Sequence, residues 1–457
     1  MDCEEKETKK KKRKGQVSLL SEIQKQREEQ KQLHASLEEL NRKKSRKSKS
    51  TMIMGIIMII ALTIMVVSLL LNFNDVKQIR DVFLEIGRGN NWAWLVAAFG
   101  LTIIFLVLWP LSLMAFSNAS GISKIVRKRD IFRVATTEQY YNNITPFAVG
   151  GQPMEIYFLR EAGAKTADAT GAVLATFLVH MIASNLYAIV ALFFYPFYIQ
   201  GLVKAPIFEW LTPGLFTAIV VIGYFNNFLT LIFTILLGRA KWLRNLIVRL
   251  MNAISHWPGF RKWLPSKIGD FETYCDNTQA AFQMLFHYKK AFFRSLLWRI
   301  LADWAYYSIP FFVLLAIGAD FSGHSLIWTY VLVLFATSFS ITAVVWIPTP
   351  GNTGGVDYAF AVVIASLAVM GFRGPLFQPS NVQAASQMVS MIWRCFTYYF
   401  VILFGFVENL IFEVSLAKRQ SKEIKELEEK THALQQESEE KAPSSLEENA
   451  SHDTSAP

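Results

Sequence analysis

The chain has 457 residues, of which 52% are hydrophobic and only 18% are charged, against roughly 25% charged residues in a soluble domain. The charged residues are concentrated near the two ends, and long apolar runs fill the middle, which excludes a soluble multi-domain enzyme and predicts a polytopic membrane protein with two polar tails. The net charge of +10 comes from basic clusters beside these runs, so we expect an anionic leaflet as the partner and no direct nucleic-acid partner.

Predicted spans follow one another between the tails. Residues 1–50 form a basic tail whose Leu and Ile spacing indicates an amphipathic helix, and its last basic cluster is either a positive-inside anchor or a specific site for anionic lipid. The spans are predicted at residues 52–73, 92–116, 169–197, 212–237, 291–317, 326–347 and 383–413, with a short apolar helix at 356–371.

Basic loops predict the orientation of these spans. Lys- and Arg-rich residues at 124–133, 239–290 and 418–425 are expected on the cytoplasmic side, with interfacial helices within 239–290. Because the basic flanks at both ends are expected on the cytoplasmic side, the chain must cross the membrane an even number of times. We therefore count 356–371 as a short crossing and predict eight spans, whereas a re-entrant helix there would give seven. The predicted parts are a tail at 1–50, a membrane domain at 51–415 and a disordered cytoplasmic tail at 416–457.

Two broken segments of similar sequence interrupt the apolar runs. One reads TPFAVGGQPME from Thr145 to Glu155, and the other reads TPGNTGGVD from Thr349 to Asp357, 204 positions later. Both contain T-P-x-x-x-G-G, and because proline lacks a backbone donor and glycine relaxes the backbone, neither is expected to continue a helix. Such backbone is tolerated at membrane depth only where protein buries it or it lines a wet cavity. Paired breaks of this kind indicate a transporter's binding site between two pseudo-symmetric halves.

Each broken segment is predicted to lead into a helix. Gln152 is expected to cap the first helix with Pro153 at its first position, and Asn352 or Thr353 is expected to cap the second. The free amides and positive dipole end of each helix would suit a lipid phosphate. The glycine pairs also fit close helix packing, which is common in membranes.

Acidic residues lie near both of these helix starts. Glu155 and Asp357 either complement the helix dipole, balance a lipid ammonium group or carry a proton. Arg394, which opens the last span, is the best candidate for a direct phosphate contact, because a guanidinium forks onto phosphate oxygens.

The fifth span carries two charges on one helix face, Arg299 and Asp303. A charge at the bilayer centre costs at least ~2.5–3.5 kcal/mol, so Asp303 is expected to face protein or water, either in an ion pair or in the site. His180 is expected to form a helix–helix hydrogen bond or to relay protons. The predicted lipid-binding and transport residues are Thr145, Pro146, Gly150, Gly151, Gln152, Pro153, Glu155, Asp303, Pro350, Gly354, Gly355, Asp357 and Arg394.

No enzyme motif or cofactor site is predicted. Cys3, Cys275 and Cys395 are far apart and lack a C-x-x-C pair, so we expect neither a disulfide framework nor a zinc site. The sequence has no H-x-x-x-H pair, phosphate loop or G-x-S-x-G motif. We therefore expect no catalytic residues, no metal, no other cofactor and no ATP hydrolysis in this chain.

The two motifs and the eight-span plan resemble the membrane domain of the lysylphosphatidylglycerol synthase/flippase family, typified by the bacterial multiple peptide resistance factor. The matching segments are ITPFAVGGQPMEIYFL, IPTPGNTGG and RCFTYYFVILFG, within a resemblance that covers about residues 55–415. The resemblance implies a multi-pass protein of the bacterial inner membrane that handles phospholipids, and the basic flanks predict that both termini are cytoplasmic. Full-length relatives move aminoacylated phosphatidylglycerol to the outer leaflet, which opposes cationic antimicrobial peptides, and a separate cytosolic domain makes that lipid from aminoacyl-tRNA.

The expected activity is translocation of a phospholipid, either lysyl-phosphatidylglycerol or a related anionic or aminoacylated lipid. The 42 residues after 415 are acidic and low in complexity, whereas a synthase domain needs on the order of 100 residues, so we expect the transport half only. A separate lipid synthase and further copies of the chain are candidate partners. Two alternatives stay open: a phosphatidylglycerol lysyltransferase, alone or with a synthase domain in trans, and a non-transporting scaffold that recruits partners to anionic membrane.

Overall fold

The computed structural model describes residue 60 and residues 76–88, 90–146, 148–204, 211–257, 259–261, 264–321, 323, 325–371, 374, 376–378 and 382–440. These residues are almost entirely helical and contain no β-strand, which confirms an all-α polytopic membrane protein. The helices are α1 (Val76–Ile86), α2 (Trp92–Ala119), α3 (Ile122–Ile125), α4 (Lys128–Ile144), α5 (Gly151–Glu161), α6 (Thr166–Phe193), α7 (Tyr195–Lys204), α8 (Pro213–Arg239), α9 (Lys241–Ser255), α10 (Leu264–His287), α11 (Lys289–Ala316), α12 (Leu326–Val344), α13 (Gly355–Gly371), α14 (Val382–Arg394), a π-helical turn (Cys395–Tyr399) and α15 (Phe400–Glu440).

Six helical segments of the described chain are long and apolar enough to cross a membrane: α2, α6, α8, α11, α12 and the continuous stretch Val382–Lys430. Helix α13 is apolar but shorter, with 17 residues. The predicted span at 52–73 and the tail at 1–50 lie outside the described residues, apart from Ile60. The total of eight crossings therefore stays a prediction, as does the cytoplasmic position of the two tails.

Small residues allow the helices of residues 57–412, which form one compact unit, to pack closely. Helices α2 and α11 touch where the hydroxyls of Ser112 and Ser295 are 2.5 Å apart. A side chain at Gly201 of α7 would collide with the backbone of Ser366, and one at Gly223 of α8 would collide with the backbone of Ala343. Glycine at a helix crossing lets two backbones approach, which is the usual packing device inside a membrane.

Helix α15 extends well past the predicted end of the membrane domain. Residues 416–440 are helical, so the prediction of disorder from 416 onward is wrong for this part, and residues 441–457 lie outside the described chain. The segment is rich in Glu, Lys, Leu and Ala, which are good helix formers. Opposite charges one turn apart add support, as in the 3.5 Å pair of Lys422 Nζ and Glu426 Oε1.

Candidate functional site

The two T-P-x-x-x-G-G segments lie against each other in the folded chain. Pro146 and Pro350 pair in an isolated antiparallel β-bridge. Tyr398, in the π-helical turn, connects the end of α4, just before the first segment, to the second segment: its hydroxyl donates to the carbonyl of Asn143 at 3.1 Å and lies 3.5 Å from the carbonyl oxygen of Pro350. Segments that are 204 positions apart in sequence are thus neighbours in space.

The backbone of the two segments is similar at one position and differs at another: Gly150 and Gly354, which the 204-residue offset relates, have φ values of −78° and 85°. Ala148 and Asn352, which the 204-residue offset relates, both have a φ of 53°, an uncommon left-handed value for residues other than glycine. The helices that follow begin at Gly151 and Gly355, which the same offset relates. The sequence repeat therefore corresponds to two breaks that each end at a helix start.

In the first segment, side chains of α4 satisfy the amides at the start of α5. The hydroxyl of Thr145 accepts a hydrogen bond from the amide of Gly150 at 2.9 Å and donates to the carbonyl of Tyr141 at 2.7 Å. The amide of Gly151 donates to Asn142 Oδ1 at 2.8 Å. These amides are thus already bonded within the protein, which weakens the expectation that they bind a lipid phosphate.

The predicted cap at the first helix is wrong in detail. Helix α5 begins at Gly151, so Gln152 is its second residue and Pro153 its third. The side-chain amide of Gln152 instead donates to Glu138 Oε1 at 3.1 Å. The reason is tertiary, because Asn142 on the neighbouring helix accepts from the amide of Gly151, as a local cap would, and Glu138 holds the side chain of Gln152.

In the second segment the cap is Asp357, and Asn352 and Thr353 do not fill this role. The amide of Gly354 donates to Asp357 Oδ2 at 2.8 Å, so the third residue of α13 bonds back to the residue before the helix. The hydroxyl of Thr353 donates instead to the carbonyl of Pro350. Asp357 therefore complements the helix start, one of the roles that the sequence left open.

The other oxygen of Asp357 holds Arg394. Arg394 Nε lies 2.6 Å from Asp357 Oδ1, and Arg394 Nη2 lies 3.3 Å from the carbonyl oxygen of Gly351 and 3.5 Å from that of Asn352. The Asp357 side chain is 20% exposed and that of Arg394 is 7% exposed. Two of the three guanidinium nitrogens are thus bonded to the second segment, which leaves Nη1 for any further partner.

Glu138 is a central residue that the sequence did not reveal. Its Oε2 accepts a hydrogen bond from Trp109 Nε1 at 2.8 Å and lies 3.5 Å from Arg299 Nη2. The guanidinium carbon of Arg299 lies 3.4 Å from the centre of the Trp109 ring. Arg299 is therefore paired with Glu138 and not with Asp303. The sequence contains a pattern that could have indicated this role: Glu138 and Asn142 are four residues apart, so both polar side chains share one face of the helix that leads into the first segment.

Several buried polar atoms around the junction have no hydrogen-bond partner among the described residues. Such atoms are rare in folded proteins, and each one costs free energy unless water or a ligand satisfies it. They cluster on the elements that surround the two broken segments. The atoms are Glu155 Oε1, His180 Nδ1, Arg299 Nε and Nη1, Asp303 Oδ2 and Asn352 Oδ1.

A cavity of about 220 Å³ lies between the two segments, which contribute Ala148, Gly351 and Asn352 to its lining. Asp303, Arg394 and His180 supply its ionisable groups. Its aromatic walls come from Phe105, Trp109, Tyr306 and Tyr307. Among the predicted site residues, Asp303 and Arg394 thus line the cavity, and Asp357 contacts it through Arg394.

Glu155 lies apart from the cavity lining. It is only 2% exposed and is influenced by the charges of Glu138 and Arg299. The neighbourhood as a whole has more acidic than basic side chains. The acidic groups are Glu138, Glu155, Asp303 and Asp357, and the basic groups are Arg299 and Arg394. This excess of carboxyl groups favours a cation or a proton as an occupant over an isolated anion.

Comparisons with known proteins agree with the membrane architecture. The family model described as lysylphosphatidylglycerol synthase TM region matches residues 55–405, which confirms the resemblance inferred from the two motifs. A UPF0104 membrane protein of Archaeoglobus fulgidus is 23% identical over 329 residues, which cover 69% of this chain and 85% of that relative. No solved structure shows a significant match to the chain.

Proposed function

Because this chain belongs to the family of lysylphosphatidylglycerol synthase transmembrane regions, we propose that it translocates a phospholipid, lysyl-phosphatidylglycerol or a related aminoacylated lipid, across the membrane. The observation that carries this proposal is the meeting of two broken segments, related by a 204-residue offset, at a polar cavity inside a helical bundle. Paired breaks of this kind form the substrate sites of transporters built from repeats.

The chemistry of the cavity supports an ammonium group as the part of the lipid that is recognised. Asp303 offers a carboxylate oxygen with no partner among the described residues, and the rings of Tyr306 and Tyr307 line the same space. A carboxylate and aromatic faces together attract ammonium groups. A lysyl head group carries such groups, whereas phosphatidylglycerol alone does not.

The cavity size and Arg394 complete the proposed mode of binding. At about 220 Å³ the cavity is smaller than the pockets of about 300–1,000 Å³ that hold drug-sized ligands, so it suits part of a head group while the acyl chains stay in the membrane. The lipid phosphate would contact Arg394 through Nη1, since Nε and Nη2 are already bonded within the second segment. This refines the predicted phosphate contact, which stays a proposal.

The test is head-group flipping in proteoliposomes that contain labelled phosphatidylglycerol or labelled lysyl-phosphatidylglycerol, at neutral and acidic interior pH. We expect the lysylated lipid to move faster and Asp303→Asn to lower its rate at least tenfold, because the substitution removes the unpaired carboxylate. Asp276→Asn is the matched control, since the same chemical change falls on an exposed side chain of α10 that does not line the cavity. No movement of either lipid by folded protein would overturn the proposal, and equal movement of both would overturn ammonium recognition.

The same preparation separates transport from lipid synthesis, which the description of the matched family also mentions. Purified protein would be supplied with labelled lysyl-tRNA and phosphatidylglycerol. On the transport proposal no labelled lysyl-lipid forms, whereas its formation by the purified chain would favour a lysyltransferase.

A further inference from the structure

A second, open cavity lies where α8 and α10 end. Its volume is about 800 Å³, and it lies between the last residues of α8 and the last two turns of α10. None of its described lining residues is acidic, in contrast to the surroundings of the central cavity. The polar and aromatic residues that shape it are Arg239, Gln279, Gln283, Phe286, His287 and Tyr288.

Arg239 presents an uncompensated positive charge to this cavity. Its guanidinium carbon lies 4.7 Å from the centre of the Phe286 ring, which holds the group over the cavity wall. No carboxylate among the described residues pairs with it. Arg244, five positions later, is different, because it is paired with Asp276 at 2.5 Å and with Glu272 at 3.8 Å. An anionic group is therefore the complementary occupant beside Arg239.

The helix next to the cavity has the character of a membrane-surface helix. No residue of α9 is buried, and its apolar side chains recur every four positions with exposures between 39% and 64%. A helix with one apolar face and basic polar residues lies in the head-group region of a membrane. This supports the predicted interfacial helices within 239–290. The apolar residues of this face are Trp242, Leu246, Leu250 and Ile254.

An apolar surface leads from the cavity along α8. Ile232, Leu236 and Arg239 are spaced by four and three residues, so they share one side of the helix. Ile232 is 53% exposed and Leu236 is 38% exposed, which leaves both available to acyl chains. A cation at the end of an apolar track matches an amphiphile with an anionic head group, and a soluble anion would use only half of this surface.

We propose that this cavity binds an anionic phospholipid, with the phosphate at Arg239 beside His287 and the acyl chains along Leu236 and Ile232. The site is separate from the cavity between the broken segments and holds its lipid whether or not the chain transports one. One basic residue near an anionic membrane surface is worth enough free energy to change lipid affinity about fivefold.

The test is native mass spectrometry of the full chain, titrated with dioleoyl-phosphatidylglycerol or dioleoyl-phosphatidylcholine. We expect the wild-type protein to retain the anionic lipid in preference, and Arg239→Gln to lower that retention about fivefold without changing the zwitterionic lipid. Ala280→Trp, which fills the cavity at an exposed lining position without changing charge, should lower retention similarly. Lys267→Gln is the control, because Lys267 is exposed and already paired with Asp270 at 2.8 Å.

Three results would overturn the proposal. Equal retention of the two lipids would show an apolar surface without head-group recognition. Equal loss in Lys267→Gln and Arg239→Gln, with no effect of Ala280→Trp, would show diffuse surface charge and no bound lipid in the cavity. Competition by inorganic phosphate as effective as that by the lipid would show a simple anion site. Because each result is a binding measurement, it is independent of whether lipid translocation is observed.

Discussion

At the scale of single residues, the two acids that the sequence placed near the helix starts have different surroundings. Asp357 uses one oxygen for the amide of Gly354 and the other for Arg394. Glu155 is buried and has an unpartnered oxygen, and Arg299, whose charge acts on it, is paired with Glu138. Two buried carboxyl groups beside one cation are more stable with a proton bound to one of them. We therefore expect a structural role for Asp357, whereas a proton-carrying role for Glu155 stays a prediction.

This difference predicts opposite results for the two neutralising substitutions. Glu155→Gln keeps the shape of the side chain and removes its ionisable proton. We therefore expect unchanged thermal stability, loss of the pH dependence of lipid flipping and loss of the infrared band of a protonated carboxyl group. Retention of that band in Glu155→Gln would contradict a proton-carrying role.

Asp357→Asn leaves Arg394 without its charge partner. It should destabilise the protein by about 3 kcal/mol, the lower end of the range for buried pairs, because Asp357 is 20% exposed.

At the scale of structural elements, the start of α5 depends on close contact with α4. A side chain at Gly151 would place its Cβ 2.6 Å from both Asn142 Oδ1 and Glu138 Cγ. Gly151→Ala should therefore separate the two helices and lower stability by about 1–3 kcal/mol, measured as a shift of the unfolding midpoint. Gly100→Ala is the matched control, because Gly100 lies inside α2 with no atom within 4 Å of the added methyl group. An equal response of the two variants would refute the packing role.

The same junction shows what could be predicted from the sequence. Hydropathy located the starts of the described spans to within a few residues but missed the end of the last one, which continues as helix to Glu440. The proline and glycine pattern located the breaks that precede Gly151 and Gly355. The predicted helix caps were wrong for two reasons. The side chain of Gln152 bonds Glu138 on another helix, and the amide of Gly354 bonds Asp357, which lies three residues later in the chain. Local sequence determines where a helix must stop, whereas the partners of its first amides depend on tertiary packing.

At the scale of the whole molecule, the contact between Pro146 and Pro350 joins the two broken segments, which the sequence predicts to belong to different halves. Transporters built from repeats alternate access by moving one half against the other around the site. If this chain works in that way, the two broken segments must separate during each cycle. Tyr398, which bonds Asn143 in α4 and approaches Pro350 in the second segment, would then keep only one of these two contacts when the segments are apart.

A disulfide across this contact tests the motion. Opposed residues in an antiparallel pair have Cα atoms about 4.5–5.5 Å apart, within the range that a disulfide spans, so Pro146→Cys with Pro350→Cys should oxidise readily once the native cysteines are replaced by serine. We expect oxidation to stop lipid flipping and a reductant to restore it, while each single substitution stays insensitive to oxidant. Flipping at an undiminished rate in fully crosslinked protein would show that the segments stay joined throughout the cycle. The lipid would then have to pass through the cavity beside Asp303 by side-chain motion alone, without a rearrangement of the two halves.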